Sequence, residues 1–99
     1  MQVRISAQAE DDLDQIAEYP QATWGWRQTE KNLGKLEDSF NLAAESPSIG
    51  RPCDSIHDGV RRFEIARHVI FYLPESQGVL VVRVLHEQML PANYLDVAR

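Results

Sequence analysis

The chain has 99 residues, 43% hydrophobic and 25% charged, which gives one core in a single domain spanning 1–99 and excludes a disordered chain. One cysteine, Cys53, excludes an internal disulfide framework. It suits a reducing compartment, and with neither a bilayer-length apolar run nor the apolar core of a secretory leader, a cytoplasmic protein is expected. The formal net charge of −5 runs against the basic balance of phosphate-gripping domains, so direct nucleic-acid binding by the chain alone is not expected.

In chain order, Val3 and Ile5 alternate with polar residues and predict a short strand. Ser6 then offers an N-cap hydroxyl to a helix whose apolar stripe is Ala9, Leu13, Ile16 and Ala17. Asp11, Asp12 and Asp14 read as a solvated acidic face near the positive end of that helix. Pro20 ends the pattern, because the residue before a proline avoids helical geometry. After a loop containing Trp24 and Gly25, the apolar residues Trp26, Leu33, Leu36, Phe40 and Ala43 share one face of a longer helix, with Thr29 in the same seam. Gly34 inside that helix has two readings, close approach of the first helix or a tolerated defect that costs about 1 kcal/mol relative to alanine. Ser46-Pro47 stops it near Glu45, completing a helical hairpin.

Residues 47–59 are rich in turn formers. Three strands follow, at about 60–65, 67–73 and 79–87, with residues 74–78 as a hairpin loop. Pro91 suits the first turn of a short C-terminal helix through Ala98. The order is β-α-α-β-β-β-α, an α+β fold with the helical hairpin packed on a small antiparallel sheet whose other face is partly open. On the last strand, strict alternation puts Leu80, Val82, Val84 and His86 on one face and Val81, Arg83 and Leu85 on the other. Arg62 and Arg83 then share a polar patch, unless internal salt bridges to Glu64 or Glu87 take them up.

The acidity lies in the first half. Residues 1–46 carry nine acids against four basic side chains, whereas 47–99 carry six of each. No metal or cofactor is expected: Cys53, Asp54, His57 and His86 match no standard zinc spacing. A Cys53–His57 nucleophile pair has no cation to lower the thiol pKa. Gly50, Gly59 and Gly78 are isolated and make no phosphate-cradling loop. No catalytic constellation is visible in the residues.

The joint arrangement is more informative. Trp24-Gly25…Gln28, the seam ending Phe40-Asn41-Leu42-Ala43, and Pro47-Ser48-Ile49-Gly50-Arg51 are followed by Gly59-Val60-Arg61-Arg62-Phe63. His68-Val69-Ile70-Phe71-Tyr72 and Arg83-Val84-Leu85-His86-Glu87-Gln88-Met89 complete the series. This succession resembles the ParE branch of the RelE/ParE superfamily, the toxins of bacterial type II toxin–antitoxin systems that stabilise plasmids or chromosomes. The resemblance implies a poison of DNA gyrase without catalytic turnover of its own, neutralised by a ParD-like antitoxin in a hetero-oligomer. The sister branch implies the alternative, a ribosome-dependent messenger RNA endonuclease. Here Val69 stands where that branch carries an arginine, and Met89 falls near its terminal acid. A third reading, a non-toxic chain that only binds an antitoxin, follows from two departures, Pro20 and Leu90. Trp24, Arg61, Arg62, Arg83 and His86 are the candidate contacts for antitoxin or target, the three arginines suiting an acidic stretch of the partner.

Overall fold

A computed structural model describes residues 2–23, 26–54 and 57–87, with side chains at 2–17, 30–54 and 57–87. The chain runs β1 (Gln2–Ile5), α1 (Ala7–Thr23), α2 (Trp26–Glu45) and a 3₁₀ turn (Pro47–Ile49). It continues through β2 (Arg51–Pro52), β3 (Arg61–Ile65), β4 (His68–Glu75) and β5 (Gly78–His86). The strands form one sheet in the order β1-β5-β4-β3-β2. The α+β class and the helical hairpin are as expected. The sheet itself is mixed, because β1 lies parallel to β5 while the remaining neighbours are antiparallel. Periodicity reports that a strand exists, not the direction in which a remote partner runs beside it. The expected C-terminal helix lies outside the described residues.

Ser6 caps α1 as its residue type predicts. Its Oγ accepts the Ala9 N–H at 3.0 Å and its carbonyl accepts the Glu10 N–H at 2.9 Å. The helix does not end at Pro20 but runs on to Thr23. Proline deletes one N–H and its bond, yet its fixed φ is helical, so a helix already packed through Ala9 and Ile16 continues past it. The second helix stops at Glu45, before Ser46-Pro47, as read from the sequence.

The two helices and one sheet face enclose the first apolar cluster. Leu36, Phe40, Ala43, Ala9 and Ile16 meet Ile70, Tyr72, Val79, Val81 and Val84, with Leu13 and Leu33 packed at its margin. Gly34 is exposed and nothing lies within 4 Å of a Cβ built on it, so the close approach of α1 is absent. The far face of β4 and β5 is not open. Val69, Phe71, Leu73, Leu80, Val82 and Leu85 are all buried, and the irregular crossing before β3 folds Cys53 and Val60 against them.

Alternation along β5 breaks once. Phe71 pairs with Arg83 and Tyr72 with Val81, which leaves Val82 as the extra residue of a bulge. Val84 therefore joins Val79 and Val81 in the helix-side cluster, and Leu85 joins Leu80 and Val82 on the other side. The expected division of the strand holds up to Val82 and inverts beyond it. Both hairpin loops hold two residues, one more than expected for the first and three fewer for the second. Ala66 and Arg67 turn β3 into β4 at φ 51° and 64°, the left-handed pair that suits strand twist in a two-residue loop. Strand β4 extends through Pro74 to Glu75, leaving only Ser76 and Gln77 before Gly78.

Candidate functional site

The four candidate residues that are described, Arg61, Arg62, Arg83 and His86, do not converge on one surface. Arg83 is bound to α1: its Nε donates to Asp12 Oδ2 at 2.8 Å and its Nη2 to Asp12 Oδ1 at 2.8 Å. The pair is nearly out of solvent, with side-chain exposures of 14% for Arg83 and 9% for Asp12. The hydrogen bonds to the carboxylate raise the guanidinium pKa above its ordinary value, against the opposing effect of burial. Asp12 also accepts the buried Val84 N–H at 3.0 Å. It is thus neither the solvated acid nor Arg83 the partner-facing base that the sequence suggested.

Arg61 is committed to the backbone. Its Nε donates to the Gly50 carbonyl at 2.8 Å and its Nη2 to that of Ser48 at 3.1 Å. Tyr72 holds the same segment from beneath: its hydroxyl donates to the Pro47 carbonyl at 2.7 Å and accepts the Gly50 N–H at 2.8 Å. The Pro47–Arg51 stretch is thereby pinned to the sheet.

Arg62 faces away from both helices. Its guanidinium carbon lies 5.9 Å from the centroid of the Phe71 ring, a cation–π arrangement on the outer face. Its Nη2 lies 3.4 Å from Glu64 Oε1, and Arg51 Nη2 contacts the same oxygen more closely. Arg62 Nε is buried without a hydrogen-bond partner. Two cations therefore share one carboxylate.

His86 stands at the far end of β5, its ring 5.7 Å from that of His68 and nearly perpendicular to it. The buried His68 donates from Nδ1 to the Ala66 carbonyl at 2.8 Å, an acceptor that fixes this tautomer. Cys53 is buried, and its N–H donates to the Val60 carbonyl at 2.8 Å, so it serves the loop and the outer cluster. Among the described residues no group of three or more His, Cys, Asp and Glu has the arrangement of a metal site. Trp24 lies outside the described residues.

Sequence reasoning missed a groove. Between edge strand β1 and the helical hairpin lies an open cavity of about 370 Å³, lined by Val3, Ile5, Leu13, Leu33 and Phe40 with Glu37 and Asn41. The half-buried pattern of Val3 and Ile5 was the available signal. What the periodicity could not say is that β1 ends the sheet, next to a helix pair that does not fully cover it.

A profile of the ParE toxins of type II toxin–antitoxin systems of the parDE kind matches residues 3–91. The chain belongs to the ParE toxin family. It is 37% identical over 86 residues to Toxin ParE1 of Mycobacterium tuberculosis, covering 86% of this chain and 88% of that one. It is 35% identical to Toxin ParE1 of Caulobacter vibrioides, covering 87% and 88%. The fold is shared with a chain of the chromosomal ParDE toxin–antitoxin system from P. aeruginosa, at a TM-score of 0.73 and 17% identity over 87% of this chain and 95% of that one. Among the described residues, no helix of this toxin is long and apolar enough to cross a membrane.

Proposed function

We propose that this toxin, acting as one domain in the cytoplasm, poisons DNA gyrase without catalysing a reaction of its own, and that a ParD-like antitoxin neutralises it by direct binding. The observation that carries the non-catalytic part is the engagement of two of the candidate cations, Arg83 and Arg61. Cutting RNA requires cationic or acid–base side chains aimed at a phosphate. Arg83 is held by Asp12 over two 2.8 Å hydrogen bonds, and Arg61 is spent on the carbonyls of Ser48 and Gly50. Val69, where the ribonuclease branch carries an arginine, is buried in the outer cluster.

Antitoxin binding is supported by the groove beside β1. Its apolar lining takes an apolar side chain from a partner, and the edge strand offers backbone groups to an added segment. Trp24, Arg62 and His86 stay candidate contacts, whereas Arg61 and Arg83 act by holding the fold together. The test sets a gyrase supercoiling and cleavage assay beside a ribosome-dependent messenger cleavage assay. Inhibited supercoiling with accumulated cleaved DNA is expected. Codon-boundary cutting of messages with normal gyrase would overturn this reading, and a chain inert in both assays would leave the antitoxin-binding role alone.

A further inference from the structure

We infer that Arg51, Glu64 and Arg62 form an exchange site on the outer sheet face, at which a carboxylate of the bound antitoxin replaces Glu64 as the partner of Arg62. The inference rests on the antitoxin reading given above. It starts from an imbalance. Arg51 on β2 and Arg62 on β3 are opposed in register, and both reach Oε1 of Glu64. Two positive charges on one negative charge leave the triad with a surplus of +1.

The two contacts are unequal. Arg51 is the closer partner. Arg62 holds its carboxylate at 3.4 Å, long for a charge-assisted bond, and its Nε has neither solvent nor partner. A buried donor without an acceptor is costly, so Arg62 is the under-satisfied member of the three. If Arg62 turns to an incoming carboxylate, Glu64 keeps Arg51 and no charge is stranded.

The site is reachable, since the side chains of Arg51, Glu64 and Arg62 are 71%, 53% and 29% exposed. A guanidinium fork takes a planar carboxylate through two parallel bonds, which favours an acidic protein segment. Nucleic acid is disfavoured because the chain as a whole carries −5.

The exchange predicts a particular pattern of variants. Glu64→Gln removes the internal competitor and should tighten antitoxin binding about two- to fivefold at low salt. Arg62→Gln should weaken it at least roughly tenfold, and Arg62→Lys, which keeps the charge and loses the fork, should recover only part of that. Arg51→Gln should also weaken binding, because Glu64 then has only Arg62 to hold. That loss should vanish in Arg51→Gln/Glu64→Gln. Association and dissociation rates are measured on the whole toxin with the antitoxin recovered from its own complex, after circular dichroism confirms that each variant is folded.

Binding that is unchanged or weaker in Glu64→Gln overturns the exchange, as does a loss in Arg51→Gln that persists in the double variant. Variants that change retention on duplex DNA and leave antitoxin binding untouched overturn it as well. A folded wild-type toxin that forms no antitoxin complex defeats the underlying reading and the exchange with it. A complex indifferent to all five variants defeats the exchange alone.

Discussion

Asp12 in α1 and Arg83 in β5, 71 positions apart, are joined by two 2.8 Å hydrogen bonds to the two oxygens of one carboxylate. The same carboxylate receives the N–H of Val84. Its location explains the need. Strand β1 pairs with β5 only as far as Val81, so the next stretch of β5 has lost its strand neighbour on that side. Ser6 Oγ donates to the Val82 carbonyl at 2.9 Å and Asp12 takes the Val84 N–H. The start of α1 thus continues, through side chains, the hydrogen bonding that β1 leaves off.

Breaking this pair should cost more than an ordinary surface substitution. Asp12→Ala takes from Arg83 and the Val84 N–H the carboxylate they share in a largely dry site, and a loss of about 3–5 kcal/mol is expected. The double variant Asp12→Ala/Arg83→Met should lose less than the two single losses summed, with a coupling of roughly 0.5–3 kcal/mol. Urea unfolding of all four proteins measures it. Additive losses would mean that the two side chains act independently.

Leu36 and Phe40 are the centre of the seam between helices and sheet, at 0% and 5% exposure. Phe40→Ala should therefore destabilise by about 3–5 kcal/mol. The denaturation midpoint should fall with an unchanged slope. A shift of only a few tenths of a kcal/mol would contradict this packing.

Gly34 tests the opposite sign. A methyl group there meets nothing within 4 Å, and alanine is the better helix former by about 1 kcal/mol. Gly34→Ala should raise the melting temperature. Gly78→Ala should do the reverse. Its φ is 153° and an added Cβ would run into the backbone of Gln2, so a loss above about 1 kcal/mol is expected, with faster amide exchange along β1.

His68 gives the fold a pH dependence of known sign. Burial lowers its pKa from the ordinary 6.5, the neighbouring His86 adds to the lowering, and the Ala66 carbonyl and Glu87 oppose it. The unfolded chain then binds the proton more readily than the folded one. The contribution of the neutral imidazole is complete above about pH 6.5 and is lost as the pH falls through that value toward the lower folded pKa. Its slope is at most about 1.4 kcal/mol per pH unit. Unfolding free energies at pH 7.5, 6.5 and 5.5 should fall in that order, and His68→Gln should flatten the difference. An equal slope in the variant would locate the proton elsewhere.

Whatever depends on neighbours along the chain was legible in the residues alone. The spacing from Leu33 to Ala43, the Ser6 cap and the Ser46-Pro47 stop place the helices, and the apolar runs at 69–73 and 79–85 place the central strands. Family membership was legible for a related reason, since motifs in a set order and spacing carry it. The tertiary structure alone decided which way side chains point and which charges meet. One bulge residue, Val82, inverts the facing of everything after it on β5, and no local pattern announces it. Asp12 looks like any acid near a helix start until the edge left by β1 is brought against it. Pro20 is tolerated because packing outweighs a single missing bond. Arg61, Arg62 and Arg83 are alike as letters. One is spent on backbone carbonyls, one is locked to α1, and one is left under-satisfied at the surface, because the partner of an arginine is set by what the fold places within a few ångströms of it.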